Sequence, residues 1–117
     1  LLQQAELAQK NYFETKAIDI YKKVLVIDSV NFKALFNLAY LYSRQGWLEE
    51  GINETKAELF YRLCMQYAQR GYRHYPKTFE ANLMMAGATA RLARFLDAKG
   101  RVHAAWDIKK YADIAYK

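Results

Sequence analysis

His74, His103 and Cys64 are the side chains of this 117-residue chain best suited to acid–base, metal or nucleophilic chemistry at neutral pH, and each stands alone. A zinc or transition-metal site needs several Cys or His ligands at short, regular spacing. Acyl transfer needs a nucleophile, a base and a group that orients the base. Phosphate chemistry commonly starts at a glycine-rich loop opening a helix, where backbone N–H groups meet the anion. None of these patterns occurs in the sequence. The histidines stand near arginines and read as surface residues. Cys64, between Leu63 and Met65, reads as a buried small apolar residue. Glu14 at a helix start and Glu49-Glu50 near a turn are explained by the helix dipole. The expectation is a protein with no catalytic residue, no metal and no cofactor.

What remains is the chemistry of recognition. The chain carries ten Tyr, and 18 Lys and Arg against 12 Asp and Glu, for a net charge of +6. Up to residue 50, Lys10, Lys16, Lys22, Lys23, Lys33 and Arg44 balance Glu6, Glu14, Asp19, Asp28, Glu49 and Glu50, so the whole excess lies in residues 51–117. A solvated helix face accounts for such an excess, and an acidic partner is the competing reading. Cations interleaved with Tyr61, Tyr67, Tyr72 and Tyr75 also raise nucleic-acid binding by phosphate neutralisation and base stacking. Those tyrosines, however, fall on a stripe assigned to the core. Binding by the remaining bare charge would be sequence-blind and lost by about 0.2 M salt.

A hydrophobic content of 53% over 117 residues is enough for one domain with a continuous core. There is one proline, and no apolar run approaches the roughly 20 residues of a membrane span. The chain starts at Leu1 and is read as a piece of a longer one, so the absence of a targeting segment leaves the compartment open. A single cysteine excludes an internal disulfide.

Periodicity predicts six helices. The first covers about Leu2–Lys10. The second covers about Thr15–Ile27, with Ala17, Ile20, Tyr21, Val24 and Leu25 on one face. Asn31 caps the third, about Phe32–Gln45, and Gly46 is read as its left-handed stop. The fourth carries Leu59, Phe60, Leu63, Cys64, Tyr67, Ala68, Gly71, Tyr72 and Tyr75 over some 20 residues, capped by Asn53 or Thr55 and closed by Pro76. Whether residues 51–63 are loop or helix stays open. The fifth starts after Thr78 and reaches about Ala98, a turn at Lys99-Gly100 follows, and the sixth spans about Arg101–Tyr116. Its Val102, Ala105, Trp106, Ala112 and Ala115 form an apolar face that a continuing chain, a partner or a second copy would cover.

Leu35, Leu38-Ala39, Tyr42 and Gly46 reproduce the first-helix pattern of a tetratricopeptide repeat (TPR). A 34-residue interval links Ala5 to Ala39, Ala17 to Gly51 and Ile18 to Ile52. Met85-Ala86 with Thr89 repeats Leu38-Ala39 with Tyr42 after 47 residues, and the turn moves equally, from Asp28-Ser29 to Tyr75-Pro76. The chain thus resembles three TPR-like hairpins, about 1–29, 30–76 and 77–117, the second and third lengthened. The resemblance implies an all-α, right-handed stack in which Ala5, Ala17, Ala39, Gly51, Ala68 and Ala86 mark close helix approaches, with Tyr21, Tyr42 and Phe36 filling between. Residues 84–115 also resemble the last repeat of the regulator of microtubule dynamics family, through Ala90-Arg91-Leu92-Ala93-Arg94, Lys99-Gly100-Arg101 and Ile108-Lys109-Lys110-Tyr111.

In TPR proteins the first helix of each hairpin lines a concave groove for a peptide or partner helix. The resemblance places Lys33, Phe36, Asn37, Tyr40, Ser43 and Arg44 of the middle hairpin there, with Glu80, Leu83, Met84, Gly87 and Arg91 of the third. Such a strip of aromatics, an amide and cations suits a protein or peptide segment with apolar anchors and an acidic group. Phe36 and Tyr40 packing against the fourth helix is the competing reading. The carboxylate clamp of one TPR subclass is matched only by Asn37, since Leu2, Gln3, Glu6, Glu80 and Met84 stand where Lys, Asn or Arg is needed. The functional expectation is a non-catalytic interaction scaffold. Acidic-partner binding by the basic half and self-assembly through the end helix are the alternatives.

Overall fold

In the computed structural model, which describes residues 1–10 and 13–116, four helix starts are fixed by a side-chain oxygen accepting from the backbone N–H three residues on. Asn31 accepts from Ala34, Asn53 from Lys56, Thr78 from Ala81 and Asp97 from Gly100. The six helices are α1 (Leu2–Lys10), α2 (Glu14–Ile27), α3 (Phe32–Glu49), α4 (Glu54–His74), α5 (Phe79–Ala93) and α6 (Ala98–Ala115), with no strand among the described residues. Lys117, the last residue of the third expected hairpin, lies outside them.

Two expected boundaries move. Gly46 does not end α3 but lies buried inside it, and the left-handed residue is Gly51, at φ 79°. The Gly46 signal was real but steric: a Cβ there would lie 2.5 Å from the Tyr61 ring, so glycine is what lets α4 approach. Gly51 is therefore a turn residue in open space and not a close approach between helices. Its N–H donates to Glu54 Oε1, which closes the turn before α4. The open question over residues 51–63 resolves as a short turn followed by helix from Glu54. At the other boundary, α5 ends at Ala93 and Lys99-Gly100 lie within α6. Asp97 caps α6, its side chain accepting from the Gly100 N–H.

Helices pack mainly on their neighbours in the chain, with α3 also touching α5. The molecule measures 42 × 36 × 21 Å, and its short dimension is about two helix diameters, hence two layers. The core runs from α1 to α5, through Ala5, Ala17, Tyr21, Leu35, Leu38, Ala39, Cys64, Ala68 and Met85. The expected face of α2 is buried, with Ile18 added. On α4, Leu59 is 56% exposed and leaves the expected stripe, while Tyr61 is wholly buried. The α3–α4 pair is locked at both ends. Tyr61 of α4 sits on Gly46 of α3, and Phe36 of α3 sits on Gly71 of α4, where a Cβ would meet it at 2.6 Å. Helix α6 has one buried residue, Ala104, and Val102 and Trp106 face outward.

A cleft between α3 and α5 as candidate functional site

On α3, Tyr40, Ser43, Arg44 and Trp47 recur at steps of three and four, so they form one stripe along the helix. On α5 the same spacing aligns Leu83, Met84, Gly87, Ala88 and Arg91. The two stripes face each other across a solvent-open cleft of about 430 Å3, with Cys64 of α4 at its base. The α5 wall is low because its centre is small. A Cβ added to Gly87 would meet nothing within 4 Å. Tyr40 and Trp47 are 44% and 57% exposed, so large aromatic surface is available at the rim.

The lining contains two guanidinium groups and no carboxylate among the described residues. Arg44 Nε donates to Glu14 Oε1 at 2.5 Å, and Gln45 holds the other oxygen at 3.0 Å. That hydrogen bond first, and the Glu14 charge second, raise the Arg44 guanidinium above its ordinary value. Arg91 instead stacks over the face of Tyr61, 5.6 Å from the ring centroid. Tyr61 donates its hydroxyl to Glu50. That bond, joined by the charges of Arg94 and Arg91, holds the Glu50 carboxyl below the usual range. Burial pushes the Cys64 thiol up to about 12, so it remains protonated at neutral pH.

Of the seven residues proposed from sequence, Tyr40, Arg44, Met84 and Arg91 come together here, along with Ser43, Leu83 and Gly87. Three lie elsewhere. Phe36 is buried on Gly71 and between the rings of Phe32 and Tyr75, because its stripe faces α4. Lys33 pairs with Glu6 at 2.8 Å, and Asn37 donates to the Lys33 carbonyl. Glu80 does not line the cleft. Trp47, Cys64 and Ala88 were missed. Ending α3 at Gly46 hid Trp47, although its spacing of seven from Tyr40 was legible.

The tyrosines considered for base stacking are engaged by other rings or polar partners. Tyr67 stacks on Tyr42 at 5.7 Å, Tyr72 meets Tyr111 edge-on, and Tyr75 packs on Phe32 and bonds the Val30 carbonyl. Several cations of this half are paired locally, Arg62 with Glu58, Arg94 with Glu50 and Glu54, and Lys109 with Asp113. Among the described residues no helix is long and apolar enough to cross a membrane.

Fold and cleft together define the class: an all-α protein whose six helices pack in chain order and leave an open groove between the third and fifth. The family model for regulator of microtubule dynamics protein 1-3 matches residues 1–117, and the chain belongs to that family. The resemblance seen in residues 84–115 thus extends over the whole chain. No curated protein and no solved structure gives a significant match.

Proposed function

We propose that this chain is a non-catalytic interaction module, a right-handed stack of three TPR-like hairpins that binds a peptide or partner helix in the α3–α5 cleft. The observation that carries the reading is the convergence of Tyr40, Trp47, Leu83 and Met84 around an open, acid-free trough whose α5 wall is lowered by Gly87. Apolar anchors with a few directed charges are what a specific recognition site needs. Helices packed in chain order, with α3 against α5, suit stacked hairpins in which first helices line one surface. The family's name points to partners connected with microtubules.

Gly87→Trp tests the reading, because it fills the trough without touching the core. Capture from nuclease-treated lysate and co-sedimentation with polymerised microtubules should each retain a partner with the wild type that Gly87→Trp and Tyr40→Ala lose. Equal recovery by all three proteins would sink the groove reading. Self-association through α6 is a second reading, favoured by Val102 at 59% and Trp106 at 68% exposure, one helical turn apart. Light scattering that stays at the monomer mass up to high concentration removes it.

A further inference from the structure

We infer that Arg91, and not Arg44, is the cleft's receptor for an acidic group, and that the segment bound carries a carboxylate beside a large apolar side chain seated over Gly87. This inference rests on the groove reading and names the chemistry of its ligand.

The two arginines line the same cleft but differ in what already holds them. Arg44 is saturated on its Nε edge by Glu14, a carboxylate only 13% exposed whose second oxygen is taken by Gln45. An incoming acid at Arg44 would meet a pair already close to neutral, and Glu14 would repel it. Arg91 has no carboxylate within ion-pair distance among the described residues. Glu50 is the carboxylate whose charge acts with it, but Glu50 Oε1 is already engaged by the Tyr61 hydroxyl and by Arg94 Nη1 at 3.0 Å. Arg91 is therefore positioned by the Tyr61 face while its donors are unspent on any acid. A guanidinium held on a ring loses less freedom on binding than a free one, and a charge-assisted bond to carboxylate is about twice as strong as a neutral one.

Gly87 precedes Arg91 by four residues, one helical turn along the same face, so the empty volume and the cation are adjacent. Tyr40, Met84 and Leu83 bound that volume with apolar surface. A side chain entering over Gly87 meets apolar walls, and an acid next to it meets Arg91. The absence of any acidic residue in the lining leaves the complementarity one-signed, and it disfavours a basic segment.

The test selects 12-residue peptides from a random display library on the wild type and measures chosen peptides by fluorescence anisotropy. Each acidic peptide is compared with its Asp→Asn or Glu→Gln counterpart on the wild type, Arg91→Gln, Arg44→Gln and Gly87→Trp. The wild type should bind the acidic form about tenfold tighter. That ratio should fall to about one in Arg91→Gln and persist in Arg44→Gln. Gly87→Trp should lose both forms while keeping its helical circular dichroism and melting temperature. A ratio near one on the wild type, or a ratio that collapses in Arg44→Gln alone, overturns the assignment to Arg91 and leaves the groove intact. No enriched peptide, or binding indifferent to Gly87→Trp, removes the groove reading and this inference with it.

Discussion

Helix α3 presents a glycine-marked contact on two sides, and the two sides are opposites. Toward α4, Gly46 and Gly71 are each covered by a ring from the facing helix, so the hairpin closes without a gap. Toward α5, Gly87 is covered by nothing, and the gap it leaves is the centre of the cleft. One residue type serves close packing in the first case and an opening in the second. What decides is where the opposing aromatics come to rest. Tyr61 and Phe36 lie on the glycines of the hairpin partner, while Tyr40 and Trp47 of α3 line the cleft without reaching within 4 Å of a Cβ at Gly87.

The largest effect should come from Tyr61→Ala. This removes a fully buried ring from Gly46 and strands the Glu50 contact, with an expected loss of about 3–5 kcal/mol in urea unfolding. A loss below about 1 kcal/mol would mean that the lock is not formed. Next come Gly46→Ala and Gly71→Ala, which should cost about 1–3 kcal/mol by overpacking, partly offset by better helix propensity. Phe36→Leu should recover part of the Gly71→Ala loss but none of the Gly46→Ala loss, a coupling that a double-mutant cycle reads directly. Gly87→Ala should do the reverse and stabilise by about 0.5–1 kcal/mol, since its Cβ meets no neighbour. Destabilisation by Gly87→Ala would erase the contrast between the two sides.

Two further measurements sharpen the comparison where the sides meet. Cys64 lines the cleft base but is only 2% exposed, and its thiol is raised to about 12. Alkylation at pH 8 should run at least about a hundredfold slower in the native protein than in the unfolded chain. A fast native reaction would show that the base of the cleft opens. Glu50 joins the end of the α3–α4 lock to Arg94, and its folded value lies below the ordinary 4.5. Its stabilising effect is present above the unfolded value and lost as pH falls through the lowered folded one. The gap in melting temperature between wild type and Glu50→Gln should thus be widest above about pH 5 and narrow as the pH falls below the ordinary carboxylate value. A gap independent of pH would assign the contact to shape and not to charge.

The helices were legible largely through local signals. Asn31, Asn53 and Thr78 are capping residues by type, and the apolar period of α2 and α4 is visible along the chain, whereas the Asp97 cap that starts α6 was passed over. The boundary at Gly46 misled because glycine has two uses that look alike in one dimension. A left-handed turn and a close helix approach both exclude a side chain, and only the position of the Tyr61 ring tells them apart. The same ambiguity hid Trp47, whereas Phe36 was placed in the groove by the TPR resemblance and packs on Gly71 of α4, the competing reading.

From its residues alone, this protein was determined to be a single all-α chain of about six helices whose reactive side chains are scattered, because composition, capping and periodicity are local properties. The tertiary structure decided which arginine is already paired and which glycine is covered. It also decided which aromatics face the cleft. Those outcomes depend on Glu14 meeting Arg44 across 30 positions and on Tyr61 meeting Gly46 across a turn. Pairings of that kind are set by how helices dock, and no local pattern encodes them.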